Sequence, residues 1–178
     1  MANNLDLSAL HDSILDAIRV QFPDLQTVED YDADRKDLQV PAVLLELVDM
    51  EGAPDDDPGT GQLPVVTKWA ARVVFAFHQE NVKREIRQLS AAVGVLVHQN
   101  RWGQAVSPAQ VTVIGPDAFD PAFDNFEVWA VEWDQQVDLG ANIWAGEGVT
   151  PQTVSIGFAP DIGPGHEANY SDISGGDE

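Results

Sequence analysis

The chain has 178 residues, enough for one compact domain with a real core, and its 44% apolar share with five Trp and seven Phe excludes wholesale disorder. Nine Lys and Arg stand against thirty Asp and Glu, a formal charge of −21, and from Trp102 onward there are thirteen acidic residues and no basic one. No cationic stripe exists to release counterions from phosphate, which argues against wrapping nucleic acid or lying on an anionic membrane; with no cysteine, disulfides and thiolate chemistry are excluded too. No apolar run approaches the roughly 20 residues of a membrane span. MANNLDLSAL has neither the positive nor the apolar part of a secretory signal, so the expectation is a soluble protein made in the cytoplasm.

The first element is LSALHDSILDAIRVQF, which sets Leu7, Leu10, Ile14, Ala17, Ile18 and Phe22 at helical spacing. Asp6 or Ser8 is placed to cap its free N–H groups, and Pro23 stops it. LQTVEDY (25–31) is short and weakly alternating, which suits an edge strand, and YDADRKD reads as a turn. PAVLLELVDM (41–50) is a nearly continuous apolar strand of central type, with proline at its start where a missing donor does least harm. The Gly-, Pro- and Asp-rich stretch EGAPDDDPGTGQLP follows and reads as a projecting loop. VVTKWAARVVFAFH (65–78) then returns as a second long strand, with Val65, Thr67, Trp69, Ala71, Val73, Phe75 and Phe77 on one face and Lys68 and Arg72 on the other.

From Asn81 to about Asn100 the period changes to that of a helix, with Val82, Ile86, Leu89, Val93 and Leu96 on one stripe and Asn81 as the cap. Gly94 inside it gives up about 1 kcal/mol of helix propensity against alanine, which points to close packing on the sheet. AQVTVIG (109–115) and the segment 124–137, which contains FEVWAVEWDQQV, form a last hairpin around GPDAFDPAFDN. In its second strand Trp129, Val131 and Trp133 share one face, assigned to the core or a subunit contact, and Glu132, Asp134 and Gln136 the other. Beyond Leu139 eight of the fourteen glycines gather in the last forty residues, with Ile143, Trp144, Ile156, Phe158 and Tyr170 as isolated apolar points. The pattern predicts an α+β fold, a mostly antiparallel sheet flanked by two helices in the order α-β-β-β-α-β-β. A domain over 1–138 is expected, followed by a Gly-rich acidic extended tail or arm over 139–178.

No chemistry announces itself. DYDADRKD opens like a calcium loop, but its sixth position is Arg35 instead of Gly and its twelfth is Pro41 instead of Glu. Asp55, Asp56 and Asp57 are successive loop residues without a scaffold to make them converge, and the GTG after them lacks the lysine and helix of a phosphate loop. His11, His78, His98 and His166 have no metal-ligand spacing, and there is no Ser elbow. Neither catalysis, metal nor cofactor is expected. Lys83, Arg84 and Arg87 do stand out: three of the nine cations lie within one helical turn. They are either solvated and paired with Glu80 and Glu85, or a patch that receives the acidic loop with Asp55, Asp56 and Asp57 from another copy.

The strand-loop-strand PAVLLEL…PGTGQLPVVTKWAARVVF, with a helix before it and a helix and hairpin after it, resembles the tail terminator (tail completion) proteins of tailed bacteriophages. The resemblance spans residues 5–138 and rests on element order and hydrophobic pattern. It implies a structural virion protein, found in the host cytoplasm during assembly and then in the tail. Such a protein forms hexameric rings, caps the tail tube and ends its polymerisation. The implied partners are the protein's own copies, the tube protein, the neck or connector protein and, in a contractile tail, the sheath protein. DNA passes through such a ring unbound, which makes Glu132 and Asp134 candidates for a phosphate-repelling lumen. Head-tail connector proteins can share this order of elements. Two rivals of other classes remain: an acidic DNA-mimic inhibitor, which needs no self-association, and a hydrolase, which needs a deep pocket with shifted pKa values.

Overall fold

The computed structural model describes residues 5–32, 38–78, 81–117, 126–144 and 153–173. The chain divides into two compact units, Met1–Trp144 and Ala145–Glu178. The first is the expected α+β fold, in the order α1 (Leu7–Gln21), β1 (Thr27–Asp30), β2 (Ala42–Gly52), β3 (Leu63–Ala76), α2 (Val82–Val97), β4 (Gln110–Pro116) and β5 (Phe126–Leu139). The sheet order is β1-β2-β3-β5-β4, and only the β1–β2 pair is parallel. The sequence break expected after residue 138 falls six residues before the division after Trp144, because Ile143 N–H donates to the Thr60 carbonyl and holds the end of β5's extension to the β2–β3 loop. The second unit carries two short antiparallel strands, β6 (Ser155–Ile156) and β7 (Ser171–Asp172), with a turn of 3-10 helix, Glu167–Asn169. Among the described residues no helix is long and apolar enough to cross a membrane.

Local chemistry accounts for the elements. Asp6 Oδ1 accepts from Ser8 N–H at 2.9 Å, which satisfies a free donor at the start of α1, and Pro23 follows two residues past its end. Leu10, Ile14, Leu15 and Ile18 are the buried stripe of α1, and Val82, Ile86, Ser90, Val93, Gly94 and Val97 that of α2. Gly94 is where α2 approaches the sheet: a Cβ there would lie 2.5 Å from the Ile114 side chain of β4. Asn81 does stand at the N-cap, but not as expected. It sits in the left-handed region (φ 61°), its side chain makes no capping bond, and its carbonyl instead accepts from Arg84 and Glu85. Asparagine is among the few residues that adopt that conformation readily.

Both helices lie on one face of the sheet, and the core between them is built on tryptophan. Trp69 stacks on Trp133 (ring centroids 6.2 Å, 11°), and Trp102, from the loop after α2, tilts against Trp133 at 6.3 Å. The polar atoms of this core are mostly accounted for. Trp69 Nε1 donates to Thr67 Oγ1, which donates to the Gln135 carbonyl; Trp102 Nε1 donates to Gln135 Oε1, and Gln135 Nε2 donates to the Ser107 carbonyl. Trp102 itself has φ 57°, an unfavourable value for a bulky residue, on the order of 1–3 kcal/mol. Its N–H bond to Asn100 Oδ1, its indole bond and its ring contact together hold it there.

Candidate functional site

Among the described residues the other face of the sheet carries no helix. Strand alternation puts onto it Lys68, Ala70, Arg72 and Val74 of β3, and the cross-strand register opposes them with Asp134, Glu132, Ala130 and Val128 of β5. From β2 come Glu46, opposite Ala70, and, past a bulge between Leu47 and Asp49, Asp49 and Glu51, opposite Lys68 and Val66. Near the β1 end this face has a small apolar lid of its own, in which Ala42, Leu44, Val74 and Val128 are buried under Tyr31, Leu38, Val40 and Phe126. Towards the β2–β3 loop it is open.

Two cations organise the open part. The Arg72 guanidinium bonds to Glu46 and, at 2.9 Å, to Asp117 Oδ2, and lies 4.3 Å over the Tyr31 ring. Burial works against its charge, yet the bonds to Glu46 and Asp117 outweigh burial and raise its pKa above the ordinary value. Lys68 Nζ donates to Glu51 Oε1 at 2.6 Å, and that bond, with Asp49 and Asp134 nearby, raises the ammonium pKa although the group is exposed. Six carboxylates, Glu46, Asp49, Glu51, Asp117, Glu132 and Asp134, thus share the face with two cations. Among the described residues the formal excess is four negative charges.

The lumen candidates Glu132 and Asp134 therefore lie two residues apart on one strand and on one face, as alternation predicts, Glu132 exposed and Asp134 half-buried. They differ in surroundings. Asp134 sits opposite Lys68, whereas the cross-strand neighbours of Glu132 are Ala70 and Val113. The sequence reading placed Phe77 on the apolar face; it is exposed, because β3 ends at Ala76 and Phe77 lies beyond the sheet. Trp129 is half-buried beneath the Arg87 guanidinium, 6.0 Å from its ring centroid.

The remaining candidates lie at opposite ends of the strands. Asp55, Asp56 and Asp57 are exposed in and after a 3-10 turn (Pro54–Asp56) beyond the end of β2. Lys83, Arg84 and Arg87 are exposed on the first turns of α2, past the far end of β3. Lys83 and Arg84 have no ion-pair partner among the described residues, and Glu80 lies outside those residues. Ten residue steps along β3, from Val65 to Phe75, separate the two ends, a rise of roughly 33 Å, so the two patches of one chain do not meet.

Sequence reasoning missed the partners of these groups. His11 Nε2 lies 2.8 Å from Asp30 Oδ1, with its ring edge against Trp69 at 5.4 Å, and Gln135 is buried as the hub of the tryptophan core. The only signal for Gln135 was its place in the period-2 series Val131, Trp133, Gln135, Val137. Among the described residues no group of three or more His, Asp or Glu is placed to hold a metal ion.

No protein-family model matches the chain, and no curated protein matches it. Among solved structures, a chain described as "Virion of native gene transfer agent (GTA) particle" superposes with a TM-score of 0.52 at 13% identity. The match covers 72% of this chain and 94% of that one. At that identity the likeness is one of fold.

Proposed function

We propose that this chain is a structural protein of a tailed phage-like virion, a tail terminator whose copies close into a ring on the end of the tail tube. The observation that supports this most is the likeness of its fold to a chain of a gene transfer agent virion, at nearly full length of that chain. The open acidic face adds a physical role. A surface with an excess of four carboxylates repels phosphate within a Debye length of about 8 Å, so a ring that turns this face inward lets DNA slide through a hydrated gap. Glu132, exposed beside Ala70 and Val113, would act more strongly than Asp134, which Lys68 partly neutralises. The protein acts by geometry, without catalysis, and its partners are its own copies, the tube protein, the neck protein and, in a contractile tail, the sheath. It belongs in the virion tail, after assembly in the host cytoplasm.

The test is to add the purified chain to polymerising tail-tube protein and to measure tube length by electron microscopy, with the native mass of the chain followed in parallel by light scattering. Short tubes of uniform length carrying a ring of about six copies at one end are the expected result. Tubes of unchanged length without end density would sink the terminator reading. Binding to the portal-side connector instead would place the chain in the neck layer.

A further inference from the structure

The two lateral edges of the sheet carry opposite charge. Thirty of the 178 residues are acidic, yet no Asp or Glu occurs from Ile86 to Pro116, the stretch that forms most of α2, the loop after it and the edge strand β4. α2 and β4 are neighbours in space, since Gly94 of the helix faces the Ile114 side chain. Four exposed cations border this edge: Lys83, Arg84 and Arg87 on α2, and Arg101 in the loop that leads to β4. Arg87 lies over Trp129, the β5 residue opposite Pro116 of β4. None of the four has an ion-pair partner among the described residues, although Glu85 shares the helix and Glu127 lies at the start of β5. The other described cations are all matched, Arg19 to Asp16, Lys68 to Glu51, and Arg72 to Glu46 and Asp117.

The opposite edge is acidic. α1 and the edge strand β1 border an open cleft of about 530 Å³ lined by Asp12, Leu15, Arg19, Glu29, Asp30 and Asp32, and Asp16 stands one turn along α1 from Asp12. All five carboxylates are exposed, and among the described residues Arg19 is the one Lys or Arg beside them. Its guanidinium donates to Asp16 and, through Nε and Nη2, to the Val28 carbonyl of β1, which leaves side chains rather than the strand backbone to meet a neighbour. We infer that the α2–β4 edge of one copy docks laterally on the α1–β1 edge of the next, its four cations facing the five carboxylates. Charge selects this partner. Two copies of a chain of charge −21 repel except where one presents cations, and these four are the described Lys and Arg that no carboxylate already neutralises. Each edge also has an exposed valine to cover, Val95 (79%) on α2 and Val20 (82%) on α1. The edges lie four strand spacings apart, roughly 19 Å, and point in opposite directions, so they cannot meet within one copy. Such a head-to-tail contact closes into a ring where its rotation allows. It also keeps the open acidic faces of all copies on one side of the wall, as a lumen requires, and it rests on the self-assembly proposed above.

The test is a charge swap on the full chain, read by light scattering. Arg84→Glu with Arg87→Glu, and separately Asp12→Lys with Asp16→Lys, should each weaken association at least tenfold, because each variant sets like charges against like. Mixed in equal amounts, the two variants should assemble again as alternating copies, since both contacts in the mixture then join opposite charges. Thermal melting should be little changed, because the exchanged side chains are exposed. Arg101→Glu, in the loop outside α2, should weaken association in the same direction while leaving the helix untouched. Asp55→Lys with Asp57→Lys, beyond the end of β2, is the control and should assemble like the wild type. In 1 M salt, where the Debye length is about 3 Å, the difference between wild type and variants should narrow. A wild-type chain that assembles while the variants assemble unchanged, or a mixture that assembles no better than its components, overturns this contact and leaves the ring reading to the tube-capping assay. A loss confined to the Asp55 and Asp57 control overturns it too, and hands the cations to the loop tip. A wild-type chain that stays monomeric also overturns the contact, and tube capping then decides the ring reading alone.

Discussion

The two faces of the five-stranded sheet are made by the same strands and have opposite characters. On the helix-covered face most positions of the two central strands are spent on burial: Val65, Trp69, Ala71 and Val73 of β3 and Val131, Trp133 and Val137 of β5 are enclosed, and even the polar positions, Thr67 and Gln135, are turned into an internal hydrogen-bond network. On the other face the same alternation places Lys68, Arg72, Glu132 and Asp134, and among the described residues only the end under Tyr31 and Phe126 is closed. The contrast teaches where stability and function are separable. Substitutions on the first face change whether the protein folds; substitutions on the second change what its surface repels or attracts.

Three substitutions sharpen that contrast. Trp133→Ala removes a fully enclosed ring that touches both Trp69 and Trp102, and is expected to lower the free energy of unfolding by about 3–5 kcal/mol in urea denaturation. A loss below about 1 kcal/mol would mean that the tryptophan cluster is not the core of the fold. Arg72→Ala is the intermediate case. It leaves Glu46 and Asp117 half-buried without their cation, and the expected loss is about 1–3 kcal/mol, larger than a surface ion pair would give. Glu132→Gln, on the open part of the same face, should move stability by less than about 0.5 kcal/mol. A destabilisation of 2 kcal/mol there would show that the open face is packed against something in solution and would break the division between the faces.

Much of the fold was legible because its signals are local. The period-2 runs around Trp69 and Trp133 and the helical spacing of Val82, Ile86 and Val93 each specify an element and the face it buries. Gly94 was legible for the same reason, since a glycine inside a helix asks for a close neighbour, and Ile114 is that neighbour. The partners were not. The bonds from Arg72 to Glu46 and Asp117 join residues 26 and 45 positions apart, and that from Trp102 to Gln135 spans 33. No spacing rule connects such residues. Asn81 was placed at the right position for the wrong reason, because its backbone, and not its side chain, opens the helix.

The sequence by itself determined the acidity of the chain, the order of its elements and which side chains of each strand share a face, because charge is a sum over residues and alternation is built into the backbone. Only the tertiary structure decided which face the helices cover, that the Asp55–Asp57 tip and the Lys83–Arg87 cluster stand at opposite ends of the sheet, and that Trp144 is fixed outward beside that tip. Those facts depend on how strands of distant sequence pair and in which register, and pairing is settled by the packing of the whole core rather than by any one segment.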